Sequence, residues 1–448
     1  MKINYILLSI VLLCTFHAHA QTKQLSLQQC VALALERNIS LLQGEAGVQM
    51  GENAVRQSKL LLLPNLNFST NYFWSFGRGI DYTSNIYVTQ NFSNNDYNLS
   101  SSMSLFQGGV INNTIKQANY DLEVSKLNQQ ATIDYIELNT LLGYLQIMYG
   151  QEQLKVAKEK LNLAREQLTT SQKAFDAGSI PEGNLFTLES QIAANELEVV
   201  NAENTLQLAF TDMKNLLQME YGENFEIVYP EISIFESALV AEIPSLQTVI
   251  EAAIRTQPNI QKYEYMLQSK ELGVKIAQGY GLPSLTVGGG LYSSYSSATS
   301  IILGIEPDPY KDQINNNFGQ SVGLTLSIPI FNNGQVMLNK QQAELDYLNT
   351  QLQEKIDVND LKKNVTEAYT GLQASASTYQ ASQKSVAAAR KSFEYEQKRF
   401  NVGQSTQLDF ISASNALSQA ESSLLSAKYD FIFKSKVIDY YMGKPLGF

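Results

Sequence analysis

The chain has 448 residues, 44% of them hydrophobic, and a formal net charge of −11. That size leaves room for more than one domain, the composition excludes general disorder, and the acidic balance disfavours nucleic acid as a partner. Two histidines and two cysteines, His17, His19, Cys14 and Cys30, are too few for a disulfide framework or a zinc-thiolate cluster.

The first residues predict a secretory signal peptide over 1–20. Lys2 precedes an apolar run from about Ile6 to Phe16, and Ala18-His19-Ala20 forms a small-x-small cleavage site before Gln21. Leu13 is too bulky to precede a lipidated Cys14. Both histidines and one thiol leave with the leader, so the mature chain keeps Cys30 alone. No nucleophile or acid–base constellation, no metal-ligand set and no cofactor motif is then left, which argues against an enzyme. No later stretch approaches the ~20 apolar residues of a membrane-spanning helix.

The remainder reads twice over. Ser26-Leu27-Gln28-Gln29, with the form of a capping box, opens a helix through Ala32, Leu35 and Asn38. Ser245-Leu246-Gln247-Thr248 opens its counterpart 219 positions later, and Leu63-Pro64 and Leu282-Pro283 keep the same offset. After each Leu-Pro the apolar period changes from helix to strand. Leu66, Phe68, Tyr72, Trp74 and Phe76 alternate with Asn, Ser and Gly; Leu99, Met103 and Leu105 do so against Ser and Asn. In the second half Leu285, Val287 and Leu291, then Val322, Leu324, Leu326, Ile328 and Ile330, alternate with Gly, Ser and Thr. Four amphipathic strands are expected, about 65–83, 96–107, 284–299 and 318–331, joined in pairs by Asn- and Tyr-containing loops. A soluble sheet with one wet face would show the same alternation. The all-small polar face and the aromatic apolar face favour the wall of a membrane barrel.

Two long runs follow, about Gly109 to Phe175 and Gly334 to Phe400, free of proline. As single helices at 1.5 Å per residue each reaches on the order of 100 Å. Leu154, Ala157, Leu161, Ala164, Leu168, Ser171 and Phe175 form heptads in the first; Val386, Ala389, Phe393, Glu396 and Phe400 are weaker equivalents. Phe175-Asp176-Ala177-Gly178 and Phe400-Asn401-Val402-Gly403 end the runs, with tips near 178 and 403 where the chain must reverse. The return helices carry matching heptads, Leu185, Leu188, Ile192 and Asn195 against Phe410, Ala413, Leu417 and Ala420. Each half therefore folds into a coiled-coil hairpin. The expected organisation is a leader, a first structural repeat over 21–230 and a second over 231–448, with about 221–244 as an aperiodic linker.

Helix starts, Leu-Pro strand entries, glycine exits at Gly109 and Gly334, and glycine tips followed by heptads, all in order and duplicated, resemble the TolC family of outer-membrane efflux ducts. The resemblance implies an α+β membrane protein: a homotrimer whose protomers each give four strands to one twelve-stranded β-barrel, continued by a coiled-coil tunnel across the periplasm. Trimerisation also follows from the strand number, because four strands cannot close a pore and open edges are forbidden in lipid. The implied function is the exit duct of a tripartite system, taking substrates from an inner-membrane pump and a periplasmic adaptor to the exterior of a Gram-negative-type cell. The alternatives are protein secretion rather than small-molecule efflux or, further off, a porin-like or coiled-coil envelope protein.

The family closes its periplasmic entrance with a Tyr-x-x-Gly-x-Arg-x-x-x-Asp-x-x-Asp pattern at the second tip. The matching positions here are Phe400, Gly403, Ser405, Asp409 and Ser412, so the glycine and one aspartate are kept and the Tyr–Arg latch is absent. Asp409 is the candidate for a ring of three carboxylates, or else an ordinary first-turn acid; its first-half counterpart Asn184 is neutral. Ala177, Gly178, Ser179, Val402, Gly403 and Gln404 match the sites where the family docks its adaptors.

Overall fold

The computed structural model describes residues 23–81, 86–220, 222–229, 243–299 and 306–446. The predicted leader and most of the linker lie outside the described residues. The chain clusters into two compact units. One comprises Ala46–Leu127 and Lys262–Lys355; the other comprises Met1–Glu45, Asn128–Gln261 and Ile356–Phe448.

The first of these holds a four-stranded antiparallel sheet in the order β2 (Asn67–Ser75), β5 (Phe92–Gln107), β7 (Ser284–Ser296), β8 (Gly319–Ser327). Register puts Phe68 opposite Leu99, Val287 opposite Leu324 and Leu285 opposite Leu326, so the apolar residues of all four strands share one face. A bulge between Ser104 and Phe106 drops Leu105 from the ladder and sets Phe106 opposite Leu285. The sheet ends at β2 and β8, both of them open edges. β8 stops at Ser327, just before Pro329 removes a ladder donor.

The loops are more ordered than their polarity suggests. β3 (Arg78–Asp81) and β4 (Ile86–Thr89) make a separate hairpin within the first. The second strand of the pair consequently starts at Phe92, not near 96. In the second loop a short helix, α7 in chain order (Tyr310–Asn316), is tied to β7. Gln313 bonds the backbone of Ser296 through both ends of its amide, at 2.9 Å each, and Ser293 donates to Ile314 O at 2.7 Å.

Four helices run from one unit into the other: α2 (Ile39–Leu60), α3 (Val110–Asp176), α6 (Pro258–Gly279) and α8 (Gln335–Asn401). α3 and α8 have 67 residues each. The return helices are α4 (Gly183–Leu216) and α9 (Gln407–Tyr441). Heptad positions Ala157, Leu161, Ala164, Leu185, Leu188 and Ala202 are buried in the first hairpin, and Phe410, Ala420, Ala427 and Phe431 in the second. Asn195, buried among them, accepts from Gln191 at 2.9 Å and donates to Lys160 O at 3.4 Å. A satisfied amide in a heptad seam pins the register.

The short helices α1 (Leu27–Arg37) and α5 (Leu246–Thr256) open each repeat. Ser26 makes the full capping box with Gln29, at 3.3 and 2.9 Å, and Ser245 Oγ accepts from Thr248 N at 3.2 Å. Beside α1, β1 (Lys23–Leu25) pairs in parallel with β6 (Phe225–Ile227). Part of the aperiodic linker is thus a strand, and this pair closes a core of Leu25, Cys30, Leu141, Tyr144 and Met213. The Tyr144 hydroxyl donates to Val228 O. Burial pushes the Cys30 thiol up to about 12.

Candidate functional site

Both hairpin tips use one backbone solution. At the first, Gly178 N donates to Phe175 O at 2.7 Å and Ser179 N to Ala174 O at 2.8 Å; at the second, Gly403 N donates to Phe400 O at 3.0 Å and Gln404 N to Arg399 O at 2.8 Å. The bond that reaches back five residues, Ser179 N to Ala174 O and Gln404 N to Arg399 O, is the Schellman closure. It needs a left-handed residue, and the glycines have φ of 72° and 73°. Nothing lies within 4 Å of a Cβ built on either. Ala177, Gly178, Ser179, Val402, Gly403 and Gln404 are all exposed, so the six docking candidates form two accessible loops.

Side chains then separate the tips. Thr406, the N-cap of α9, accepts from Asp409 N at 3.2 Å and donates its hydroxyl to the Asp409 carboxylate at 2.7 Å. Asp409 is exposed and occupies the helix N-terminal turn, where its charge meets the positive end of the dipole. Ser412 is exposed one turn further on. Phe400 is not free at the tip: it stacks on Phe410 at 4.9 Å, and Phe410 also meets Phe393, at 5.6 Å. Ser405 hydrogen-bonds Glu396, which also pairs with Arg399 at 3.3 Å, while Arg399 donates to Gln404 O at 2.8 Å. The chain therefore has an arginine at this tip, but Arg399 is spent inside its own hairpin. Sequence reading overlooked this Glu396–Arg399–Ser405 knot because nothing in the spacing of the three marks them as partners of one another. Asp409 stands where its reading as a first-turn acid put it; its partner Thr406 carried no expectation.

At the first tip Asn184 N donates to Pro181 O at 3.1 Å, and Glu182 caps α4 with no side-chain hydrogen bond. Asn415 on α9 donates to Gln191 on α4 at 3.1 Å, which ties the two hairpins together. Between them Leu163, Thr170 and Ser171 of α3 face Phe400, Gln407 and Phe410 across a groove of about 190 Å³.

An open-edged amphipathic sheet whose strands lead, in two repeats, into long antiparallel helical hairpins defines the class: the protomer of an outer-membrane channel with a helical extension. A family model described as outer membrane efflux protein matches residues 30–217 and 249–436. The chain belongs to that family. It is 22% identical over 400 residues to outer membrane protein TolC of Vibrio cholerae, covering 89% of this chain and 86% of that protein. To toxin and drug export protein A of Aggregatibacter actinomycetemcomitans it is 25% identical over 251 residues, 55% of this chain and only 49% of that one. Of solved structures, CusC superposes with a TM-score of 0.79 at 18% identity, over 94% of this chain and 92% of CusC. VceC of Vibrio cholerae gives 0.75 at 14%, over 94% and 97%. At these identities the superpositions show a shared fold.

Proposed function

We propose that three copies of this chain form the outer-membrane exit duct of a tripartite efflux or secretion system, loaded by an inner-membrane pump through a periplasmic adaptor. The observation that carries it is the sheet. Its apolar face leaves Phe68, Tyr72, Trp74, Leu324 and Leu326 each more than half exposed, a kind of patch that soluble monomers rarely show and that outer-membrane lipid would cover. Both edges are open, and unpaired strand edges in hydrocarbon cost several kcal/mol per group. Pairing β2 of one copy with β8 of the next closes twelve strands and removes every edge. Exposed Leu338, Leu345, Leu348, Leu352 and Ile356 recur along α8 at heptad-like spacing and give a neighbouring copy an apolar seam.

The duct does no chemistry on its cargo; energy comes from the pump. The two tips are the adaptor-docking loops, since their small exposed residues admit close helix approach. Asp409 contributes one carboxylate per copy at the entrance, already oriented by Thr406, so three of them attract cations there. Phe400 and Ser405 act by holding the second hairpin, and Ser412 and Asn184 add no charge. Membrane fractionation of the full chain followed by unheated gel electrophoresis should show an outer-membrane trimer; a soluble periplasmic monomer sinks the reading. Divalent-cation block of single channels should weaken in Asp409→Ala, and unchanged block rejects the carboxylate ring.

A further inference from the structure

Between its two ends the polar face of the sheet is a wall of Ser, Thr, Gly and Asn; Gln107 stands at the helix end, and the loop end departs from that composition furthest. There four successive rows of the register carry something else. The row that joins Ser69, Asn98 and Gly319 contains Tyr292; the next, between Asn71 and Ser294, contains Asp96; the one after it, beside Asn94, contains Phe73; and the last, beside Ser75, contains Phe92. Phe73 interrupts the Tyr72–Trp74 alternation, which leaves it facing away from those two aromatics. Asp96 is the sole acidic or basic side chain on β2, β5, β7 and β8. Among the described residues it has no ion pair.

Phe73 and Tyr292 stand diagonally on either side of Asp96, one strand away each, and diagonal neighbours on a sheet face are ~7–8 Å apart. Asp96 is exposed, and Phe73 and Tyr292 are 44% and 53% exposed. The Tyr292 ring reaches over Gly319 of β8, on the side of β7 away from Asp96, where a Cβ would fall 2.2 Å from its Cζ. Gly319 is therefore what gives this ring its seat. Two aromatic rings left about half exposed on a water-facing wall gain only part of what burial offers, and one carboxylate is not needed to wet a surface of serine and asparagine. Together they suit a ligand with a positive centre and an apolar body: the carboxylate takes the charge, and the ring faces take both the cation and its hydrocarbon.

Resting on the trimeric barrel proposed above, we infer that Asp96, Phe73 and Tyr292 form a charge- and shape-selective rim at the outer mouth of the lumen, which favours amphipathic organic cations over anions and neutral solutes. Threefold symmetry sets three such groups around one opening, and their fields add across it. Single channels of the full chain in planar bilayers test this, with tetrabutylammonium added on the loop side and reversal potentials read in a KCl gradient. Wild type should prefer potassium to chloride and be blocked by tetrabutylammonium. Asp96→Asn should raise the half-blocking concentration about tenfold, as for loss of one charged contact, and shift the reversal potential towards zero. Asp96→Glu should restore both, and Phe73→Ser should weaken the block while leaving the potassium preference intact. Unchanged block in Asp96→Asn overturns the inference. So does a lost potassium preference with unchanged block, which would make the carboxylate a determinant for small ions alone. Absence of any channel and of an unheated trimer band in the wild type is a separate result, one that overturns the barrel itself and the rim with it.

Discussion

The first and second repeats reach the same backbone with different side chains. At the sheet-to-helix exits, Gly108 and Gly109 have φ of 54° and 76°, while Asn333 and Gly334 have 55° and 74°. A Cβ at Gly108 would lie 2.3 Å from Gly279 O. Asparagine, exposed in this chain, holds the same left-handed conformation in the second repeat. At the tips the Schellman bonds are equivalent, but the second return helix is capped by Thr406 and knotted by Glu396, Arg399 and Ser405, whereas the first relies on Pro181 and an uncapped Glu182. Duplication preserved conformation. What diverged is the way each turn is held, and that difference gives the second tip its fixed carboxylate.

The exits provide the sharpest test. Gly108→Asn copies the second repeat into the first, yet it must displace the backbone at Gly279, and we expect a loss of about 3 kcal/mol or more. The reciprocal Asn333→Gly should cost only a few tenths. Thermal melting of the detergent-purified protein compares them, and equal losses would remove the distinction between crowded and open exits. At the tips crowding is absent, so Gly178→Val and Gly403→Val should each cost about 1–2 kcal/mol from left-handed strain alone, and by similar amounts. Unequal melting shifts would show that the knot at the second tip holds the turn independently of its glycine.

Capping separates the tips more gently. Thr406→Ala should cost about 1 kcal/mol and speed amide exchange around Asp409, whereas Glu182→Ala should fall within about 0.5 kcal/mol of wild type. The smallest effect is expected at Cys30, which is fully buried, as is Val249 219 positions later. Cys30→Val, the residue the second repeat uses, should cost under about 1 kcal/mol. Wild-type Cys30 should resist thiol reagents at pH 8 until the protein unfolds, since burial raises its pKa to about 12. A raised folded-state thiol pKa makes its contribution to stability complete below the unfolded value, ~8.5, and progressively lost as pH rises from there towards 12. Native-state labelling at neutral pH would contradict that burial.

Periodicity made the long elements legible. Heptads towards the tips of the 67-residue helices, and alternation over nine or more residues in the strands, mark the face that must be buried or wetted. The short pieces escaped it. β1 and β6 have three residues each and are strands only because they find one another from 202 positions apart. The hairpin of β3 and β4 and the helix α7 sit in loops whose Asn and Tyr content reads as irregular. The bulge at Leu105 shifts the apolar face to Phe106 through pairing with Leu285, a partner from the other repeat. In the candidate site the two tip glycines were readable from offset and spacing, and Asp409 was singled out by the resemblance of the second tip to the family pattern. The contacts of Phe400, Arg399 and Glu396 were not.

Sequence alone determined the duplication, the length of the helices, the amphipathic strands and the place where each hairpin turns, because each is a local property of spacing, capping or left-handed backbone. Only tertiary structure decided which edges of the sheet stay open, why Gly108 cannot be asparagine when Asn333 can, and that Asp96 stands between two rings on the polar face. Those facts depend on strand order and on the backbone atom that occupies a given point in space, and no local pattern encodes either.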